Sequence, residues 1–555
     1  MRLAPVLLAL LAVLLLFVGL DRIGFTDQRE ARDAQVAREL VGAGEFLVPI
    51  YAREPHFEKP LLAYAPDVLI HRIPPETPTR SRMLRAGMAA LLILLVASIG
   101  AQHFGARAGW WAAIVLASTA ALPLAARADG TQVLGSLLGW VGCAGFADAL
   151  FGRRAGRDLR LLVTYAALSA ALLMAGPLPA LWPLGALALY VRLSRLRDGF
   201  RRTRPLAGLL FMAGVALPWY GAAVERYGTA FTLHAPFFPY AVEARGPWLA
   251  GPLLALSILV IGLYPWSALL PEATLHAATW WRFARARGAG GAGGTAVAAP
   301  APGPVAAPDA LSREHREEDA AHFFIAAMLA ALVPVALYPG PPISAALPAL
   351  PAAALLCGRL IDHLFEDPAR MARPVARAAL MLALVGSALA LLMALAASRL
   401  ESAVAPLRLL AAVTFGTSWL PFLAGLRGRA RLAAVLMTLP VALGAPIVTL
   451  RLLPAMEESL SARLVAEAMN QASPPLAPLA HVAPELPSLR LYCRRNLVGV
   501  PGIAGRDVAD LRAADGMLYV AFPPAHESDI ARTAGAPIEI MRRTPSLVLA
   551  RIPKP

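Results

Sequence analysis

The sequence is short of charge. Only 16% of its 555 residues are Asp, Glu, Lys or Arg, against 58% that are hydrophobic, which is too little polar surface to cover one large water-soluble core. Lipid must be the main solvent. Lysine is scarcer still: Lys59 and Lys554 stand against forty-nine arginines. Cysteine is nearly absent as well. Of three, Cys143 and Cys357 fall inside apolar runs and Cys493 stands alone, which excludes a disulfide framework and a Cys-based metal site. The net charge of +15 would suggest a nucleic-acid partner in a soluble protein. Here the arginines sit in short loops between apolar runs, as they do in cytoplasmic loops of membrane proteins, so no nucleic-acid partner is expected.

What is there is a series of apolar runs. A hydrocarbon core about 30 Å thick takes roughly 20 apolar residues per helix. That ruler gives thirteen spans, near 4–20, 84–103, 107–125, 131–150, 160–176, 178–194, 205–222, 249–270, 322–338, 343–361, 376–397, 407–425 and 432–453. The first has a charged start like a signal peptide's, but no small-residue cleavage site follows it, and it is expected to be retained. With an inside N-terminus, the loops at Arg153 to Arg160, Arg192 to Arg204, Arg282 to Arg287, Arg370 to Arg377 and Arg427 to Arg431 all fall on one side, the cytoplasm. The loop 21–82, the turn at Asp129, the segment 223–248 and everything after Leu453 then face outward.

Residues 288–310, a Gly/Ala/Pro run, read as a cytoplasmic linker within a transmembrane domain, 1–454. Residues 455–555 regain mixed polarity and read as a small α/β domain. Its expected elements are a helix over Glu457 to Gln471 and strands at Leu489–Tyr492, Met517–Phe522 and Ser546–Ile552. The fold class is mostly α and polytopic, with about thirteen membrane helices.

The loop 21–82 carries the densest chemistry: Asp27-Gln-Arg-Glu-Ala-Arg32, then Gly44-Glu-Phe-Leu-Val-Pro49, then Glu54-Pro-His-Phe-Glu-Lys-Pro-Leu61. From Arg29 to Leu40 it reads as a surface helix, and from Gly44 as an extended return to the second span. This run resembles the first outer loop of the lipid-carrier-dependent glycosyltransferases, the group containing the bacterial aminoarabinose (lipid A) transferase and, more distantly, the protein mannosyltransferases. Phe57-Glu-Lys-Pro60, at its distance from Glu30-Ala-Arg32, is the specific part. Leu217-Pro-Trp-Tyr220, Leu347-Pro-Ala-Leu-Pro-Ala352 and Pro487-Ser-Leu-Arg-Leu-Tyr492, the last as a strand, follow in the family's order.

The resemblance implies a C-type membrane glycosyltransferase fold in the bacterial inner (plasma) membrane, with the terminal domain periplasmic. It implies a polyprenyl-phosphate-linked sugar as donor and an envelope lipid or glycan as acceptor. A carboxylate takes the acceptor's proton, and cations stabilise the departing phosphate. Asp129, Glu58 and Asp27 are the candidate acids, and Lys59, Arg32 and Glu30 the candidate donor-binding residues. Lys59 stands out because the sequence uses Arg elsewhere, and a compact ammonium suits a phosphate oxygen; the other reading is a lysine snorkelling beside the second span. Glu58 is open to three readings: general base, ligand of a divalent metal ion with His56 or His234, or partner of an arginine.

Departures matter too. The family's Asp-Glu-x-Arg is here Arg29-Glu30-Ala31-Arg32, so an arginine stands where an acid is usual, and Arg29 is expected to find a carboxylate. Asp27 lies two residues earlier, on another helix face. A lysine before Gly-Pro is replaced by Ala175, and His234 and Arg245 align poorly with the family's loop residues. Asp129 reads either as the displaced base or as the N-cap of the next span. A second class of function therefore stands beside the enzyme, a non-catalytic relative that binds lipid-linked sugars or scaffolds an envelope complex. A transporter fits less well, since few ionisable residues lie at mid-membrane depth.

Overall fold

The structure is a computed structural model. It describes residues 13–27, 29–43, 47–72, 77–152, 156–194, 196, 198–234, 250–277, 308–337, 343–472, 477–482, 486–500, 511, 516–534 and 537–553. Among these, nine helices are long and apolar enough to cross a membrane, or up to eleven if each of two bent pairs counts as one span. The expected run 178–194 is the helix Pro177–Ser194, which falls outside that set. The expected run 4–20 lies mostly outside the described residues. The expected linker 288–310 lies outside them except for its last three residues, which open the helix Pro308–Leu337.

Eight elements position the site. Helix α1 (Glu30–Ala43) is followed by a short hairpin, β1 (Ile50–Tyr51) with β2 (Glu54–Pro55), and by α2 (Ala65–His71). The first long span, α3 (Pro78–Phe104), starts with Thr77 as N-cap and Pro78 in the first turn, where its missing N–H costs nothing. Helices α4 (Ala106–Ala117) and α5 (Ala121–Ala128) meet at 60°. The backbone freed at that break is re-satisfied inside the protein, as lipid requires: Ala120 N–H donates to Tyr264 O, and the Thr119 hydroxyl to Leu116 O. Helix α6 (Gly130–Phe151) follows.

Small residues let these helices approach. A Cβ on Gly109 of α4 would lie 2.4 Å from Ala97 O of α3, and one on Gly358 would lie 2.6 Å from Ala112 N. The central span, Ala346–Glu366, is 94% buried over its apolar window, so the bundle is packed around it. Ala175, where the family's lysine was sought, packs on α6: a Cβ on Gly135 would sit 2.9 Å from its methyl group.

The C-terminal part is a five-stranded mixed sheet. With β3 (Leu479–Val482), β4 (Leu497–Val500), β5 (Leu518–Phe522), β6 (Glu539–Arg543) and β7 (Val548–Ile552), its order is β4-β3-β5-β7-β6. β3 runs parallel to β4 and β5, and β7 antiparallel to β5 and β6. Both faces are covered. Tyr519, Ala521 and Leu549 pack with Val465 and Met469 of the helix Arg463–Gln471, while Val520, Phe522 and Val548 pack with Ile530. The alternation of side chains along β5 supplies both cores.

Two sequence expectations need correction here. The helix expected over Glu457 to Gln471 is two, Glu457–Leu460 and Arg463–Gln471, parted by an extended Ser461. Pro487–Tyr492 is a helix rather than a strand. The Leu489/Leu491 alternation suggested a strand, but Pro487 sits in the first helical turn. The Ser488 N–H is capped by the Asp27 carboxylate at 2.7 Å, and the Leu491 carbonyl by Arg38 at 2.7 Å. Both partners come from the first loop, more than 450 residues away, so no local pattern could have announced them.

Candidate functional site

Helix α1 lies between the membrane helices and the C-terminal sheet domain. Ala31 and Ala34 pack with Phe25 and Leu491, and Val36 and Leu40 with Ala63 and Tyr64. The short alanines bring the backbone close, and the charged residues between them are consequently buried. Glu30 is 1% and Asp33 4% exposed. Charge at such depth persists only when paired, and each acid here has a named partner.

Glu30 begins α1 and accepts from Thr26 N–H at 3.1 Å. Its two oxygens take Nε and Nη2 of Arg82, both at 2.7 Å. The remaining Arg82 donors go to the carbonyls of Leu20, Ile23 and Gly24 at 2.7 to 3.0 Å. Asp67 of α2 is held by Arg85 at 3.1 Å and by the Ser81 hydroxyl. These pairs fasten the loop to the start of α3.

Lys59 is brought in by its neighbours. Phe57 sits edge-on to Tyr227 and Phe231, with centroids 5.4 and 5.5 Å away, and the Trp219 indole N–H donates to Leu47 O at 2.9 Å. The sequence motifs around Phe57 and Trp219 thus clamp the returning segment to the helix Pro205–His234. The Lys59 ammonium, 8% exposed, lies 2.7 and 2.8 Å from the two oxygens of Asp33 and 5.7 Å from the Tyr64 ring centroid. Burial works against its charge, but the carboxylates of Asp33, Asp129 and Glu58 outweigh burial and hold it above the ordinary lysine value. Burial raises Asp33 above its usual range, and Asp67 adds to the effect against the pull of Lys59.

The other expected acids are engaged. Glu58 takes Arg32 Nη1 at 2.7 Å and lies 3.3 Å from His56 Nε2. Although burial opposes ionisation, His56, Lys59 and Arg32 hold its carboxyl well below the usual range, which makes it a weak base. Arg29 pairs with Asp129 at 2.9 Å, and the other Asp129 oxygen accepts Gln132 N–H at 3.2 Å as the N-cap of α6. Asp27 faces the C-terminal domain. Its N–H donates to Leu460 O at 2.7 Å and its side chain caps Ser488, while burial raises its pKa. Lys59, Glu58 and Asp129 are not among its hydrogen-bond partners.

Among the described residues no group of three or more His, Cys, Asp or Glu side chains could hold an ion. Glu58 is occupied by Arg32 and His56 instead, and the side chain of His234 lies outside the described residues, as does Arg245.

Sequence reasoning missed Asp33, Asp67, Arg82 and Arg85. A signal existed for three of the four. Asp33 lies four residues after Arg29, and therefore on the same helix face. Arg82 and Arg85 open an apolar span, where ionisable side chains need partners.

No protein-family model matches the chain, and no curated protein matches it in sequence. Two solved structures are similar over nearly its whole length. ArnT from Cupriavidus metallidurans bound to undecaprenyl phosphate superposes with a TM-score of 0.76 at 18% identity, covering 98% of this chain and 97% of that one. The apo state of the same protein gives 0.75 at 18% identity, with the same coverage. The fold is that of the C-type membrane glycosyltransferases, with a small C-terminal sheet domain.

Proposed function

We propose that this chain is a lipid-carrier-dependent glycosyltransferase, moving a sugar from a polyprenyl-phosphate donor to an envelope lipid or glycan acceptor. The observation that carries the reading is Lys59, a lysine in a chain that otherwise uses arginine, buried among carboxylates at the junction of loop, bundle and C-terminal domain. A buried ammonium of this kind is a point charge for a phosphate oxygen, and its effect there is much greater than in water. The fold supports the reading, since the similar ArnT structure is bound to undecaprenyl phosphate. The membrane domain is 1–454 and the soluble domain 455–555. With the N-terminus cytoplasmic, the site and the C-terminal domain lie on the outer face of the inner membrane.

Within this reading Lys59 binds the carrier phosphate. Arg32, the more exposed cation beside it, contributes from the side of Glu58. Glu30 is assigned to holding α1 through Arg82, Asp27 to docking the C-terminal domain, and Asp129 to holding Arg29. The second reading, a binding protein without transferase activity, draws on the Arg29–Asp129 pair, which occupies the expected base.

The test is native mass spectrometry of the full chain in nanodiscs with undecaprenyl phosphate. Lys59→Ala should weaken binding by roughly tenfold or more, the size of a charged hydrogen bond of about 1.5–3 kcal/mol, and Lys554→Ala should not. Equal affinities in the two variants would remove the phosphate role. Glycosylated lipid formed by wild-type protein from a membrane lipid extract would separate the enzyme from the binding protein.

A further inference from the structure

A glycosyl transfer at this site needs a base, and the acids around Lys59 other than Asp33 are committed, while Asp27 caps Ser488 in the C-terminal domain. Glu30 is held by Arg82, Asp67 by Arg85, Glu58 by Arg32 and Asp129 by Arg29. Of those arginines Arg32 shares in the phosphate site, but its carboxylate Glu58 also has His56 Nε2 3.3 Å away. Asp33 differs. Among the described residues its hydrogen-bonded cation is Lys59 alone, bound through both oxygens, so a phosphate that captures Lys59 takes from this carboxylate its one directly bonded cation.

We propose that Asp33 is the proton acceptor of the site, kept ionised by Lys59 until the carrier phosphate claims the lysine. The inference rests on the reading of Lys59 as the phosphate-binding residue. It also explains the arginine in the motif. Positions 29 and 33 are one turn apart on one face of α1, so the carboxylate missing at Arg29 is present at Asp33.

The step balances. The acceptor oxygen forms a bond to the anomeric carbon as the bond from that carbon to the phosphate oxygen breaks. The electron pair stays on the phosphate, which gains one negative charge, and the hydroxyl proton passes to Asp33. Lys59 links the two events, because a more negative phosphate draws the ammonium away from Asp33, and Asp33 becomes a stronger base as the leaving group departs. The surroundings favour protonation once the lysine has turned. Burial, the largest influence, and Asp67 of α2 favour the neutral acid, against the cations Arg85 of α3 and Arg32 of α1, with the neutral Tyr64 ring beside them in a site nearly closed to water.

Undecaprenyl phosphate is the product form of the carrier, so its complex should hold the transferred proton on Asp33. Isothermal titration of the full chain in nanodiscs at about pH 6, in two buffers of different ionisation enthalpy, counts protons taken up on binding. The phosphate titrates in this range as well, and Asp33→Asn leaves that contribution in place. Wild type should take up about one proton more than Asp33→Asn. The variant should bind roughly tenfold tighter, because it has no charged hydrogen bond to give up. Asp33→Glu, which keeps a carboxyl, should keep the uptake, and it serves as the test if Asp33→Asn does not fold. Proton counts and affinity in a folded Asp33→Asn that match wild type would overturn the proposal, as would loss of uptake in a folded Asp33→Glu. If wild type and Lys59→Ala bind equally, the phosphate reading itself has failed; if they differ but Asp33→Asn behaves as wild type, only this inference has.

Discussion

Glu30 and Asp33 stand on the same helix, both almost fully buried and both ion-paired, yet they are held in opposite ways. Glu30 meets a guanidinium through two parallel bonds, and that guanidinium is fixed by three backbone carbonyls. Asp33 meets a single ammonium on a flexible stem, with no backbone group sharing it. The first arrangement cannot exchange partners without unfolding the loop. The second can, because an ammonium needs only another anion. The same helix therefore carries one pair that fastens the site and one that can switch.

Breaking the fastening pair should have the largest effect. Arg82→Ala leaves buried Glu30 with Arg85, 3.6 Å away, in place of its two charged hydrogen bonds and three carbonyls without the Arg82 donors, and should cost on the order of 3–5 kcal/mol, read as a large fall in Tm in detergent. A fall no greater than that of Lys59→Ala would erase the contrast between the two pairs. The double variant Lys59→Met with Asp33→Asn sharpens it from the other side. Removing both charges should leave stability within about 1–2 kcal/mol of wild type, read as a small change in Tm, while undecaprenyl phosphate binding stays weak; recovered binding would show that the lysine is dispensable.

Asp129→Asn is expected to do less, because Asn caps a helix about as well as Asp; it loses the Arg29 pair, on the order of 1 kcal/mol, and one of the carboxylates that hold Lys59 charged. Asp129→Ala should cost a further ~0.5–2 kcal/mol through the cap. If Asp129→Asn instead abolishes sugar transfer while binding the carrier normally, the base is Asp129. The smallest effect is in acid. The folded-state pKa of Glu58 lies below its ordinary 4.5, so its pairing contributes stability that is present above that pH and lost as pH falls through and below it. Glu58→Gln should flatten that part of the stability profile, which acid-titrated thermal unfolding would show.

The bundle was legible because lipid imposes one rule, length and apolarity, and residues such as those of Pro78–Phe104 and Pro368–Ala397 obey it without outside help. The breaks were not. Ser118 to Ala120 read as one continuous run, and only Tyr264 and Trp266 across the bundle supply the partners that let the helix bend there. The C-terminal sheet was legible where alternation is strong, in β5 and β7. It was missed in β3, β4 and β6, and read wrongly at Pro487–Tyr492, where Asp27 and Arg38 decide the conformation.

The site divides the same way. Lys59 could be singled out by composition and Arg29 by its departure from a pattern, but the partner of each is a matter of tertiary geometry. Asp33 lies 26 residues from Lys59 and Asp129 100 residues from Arg29. The acids that looked available in the sequence, Asp129, Glu58 and Asp27, each have another partner in the fold: Arg29, Arg32 and Ser488.

The most direct measurement is an experimental structure of the full chain with undecaprenyl phosphate in a lipid nanodisc. The account predicts the phosphate within about 2.7–2.9 Å of the Lys59 ammonium, the Lys59–Asp33 contact opened, and the Glu30–Arg82 pair unchanged. A phosphate bound elsewhere, with Lys59 still on both oxygens of Asp33, would contradict it.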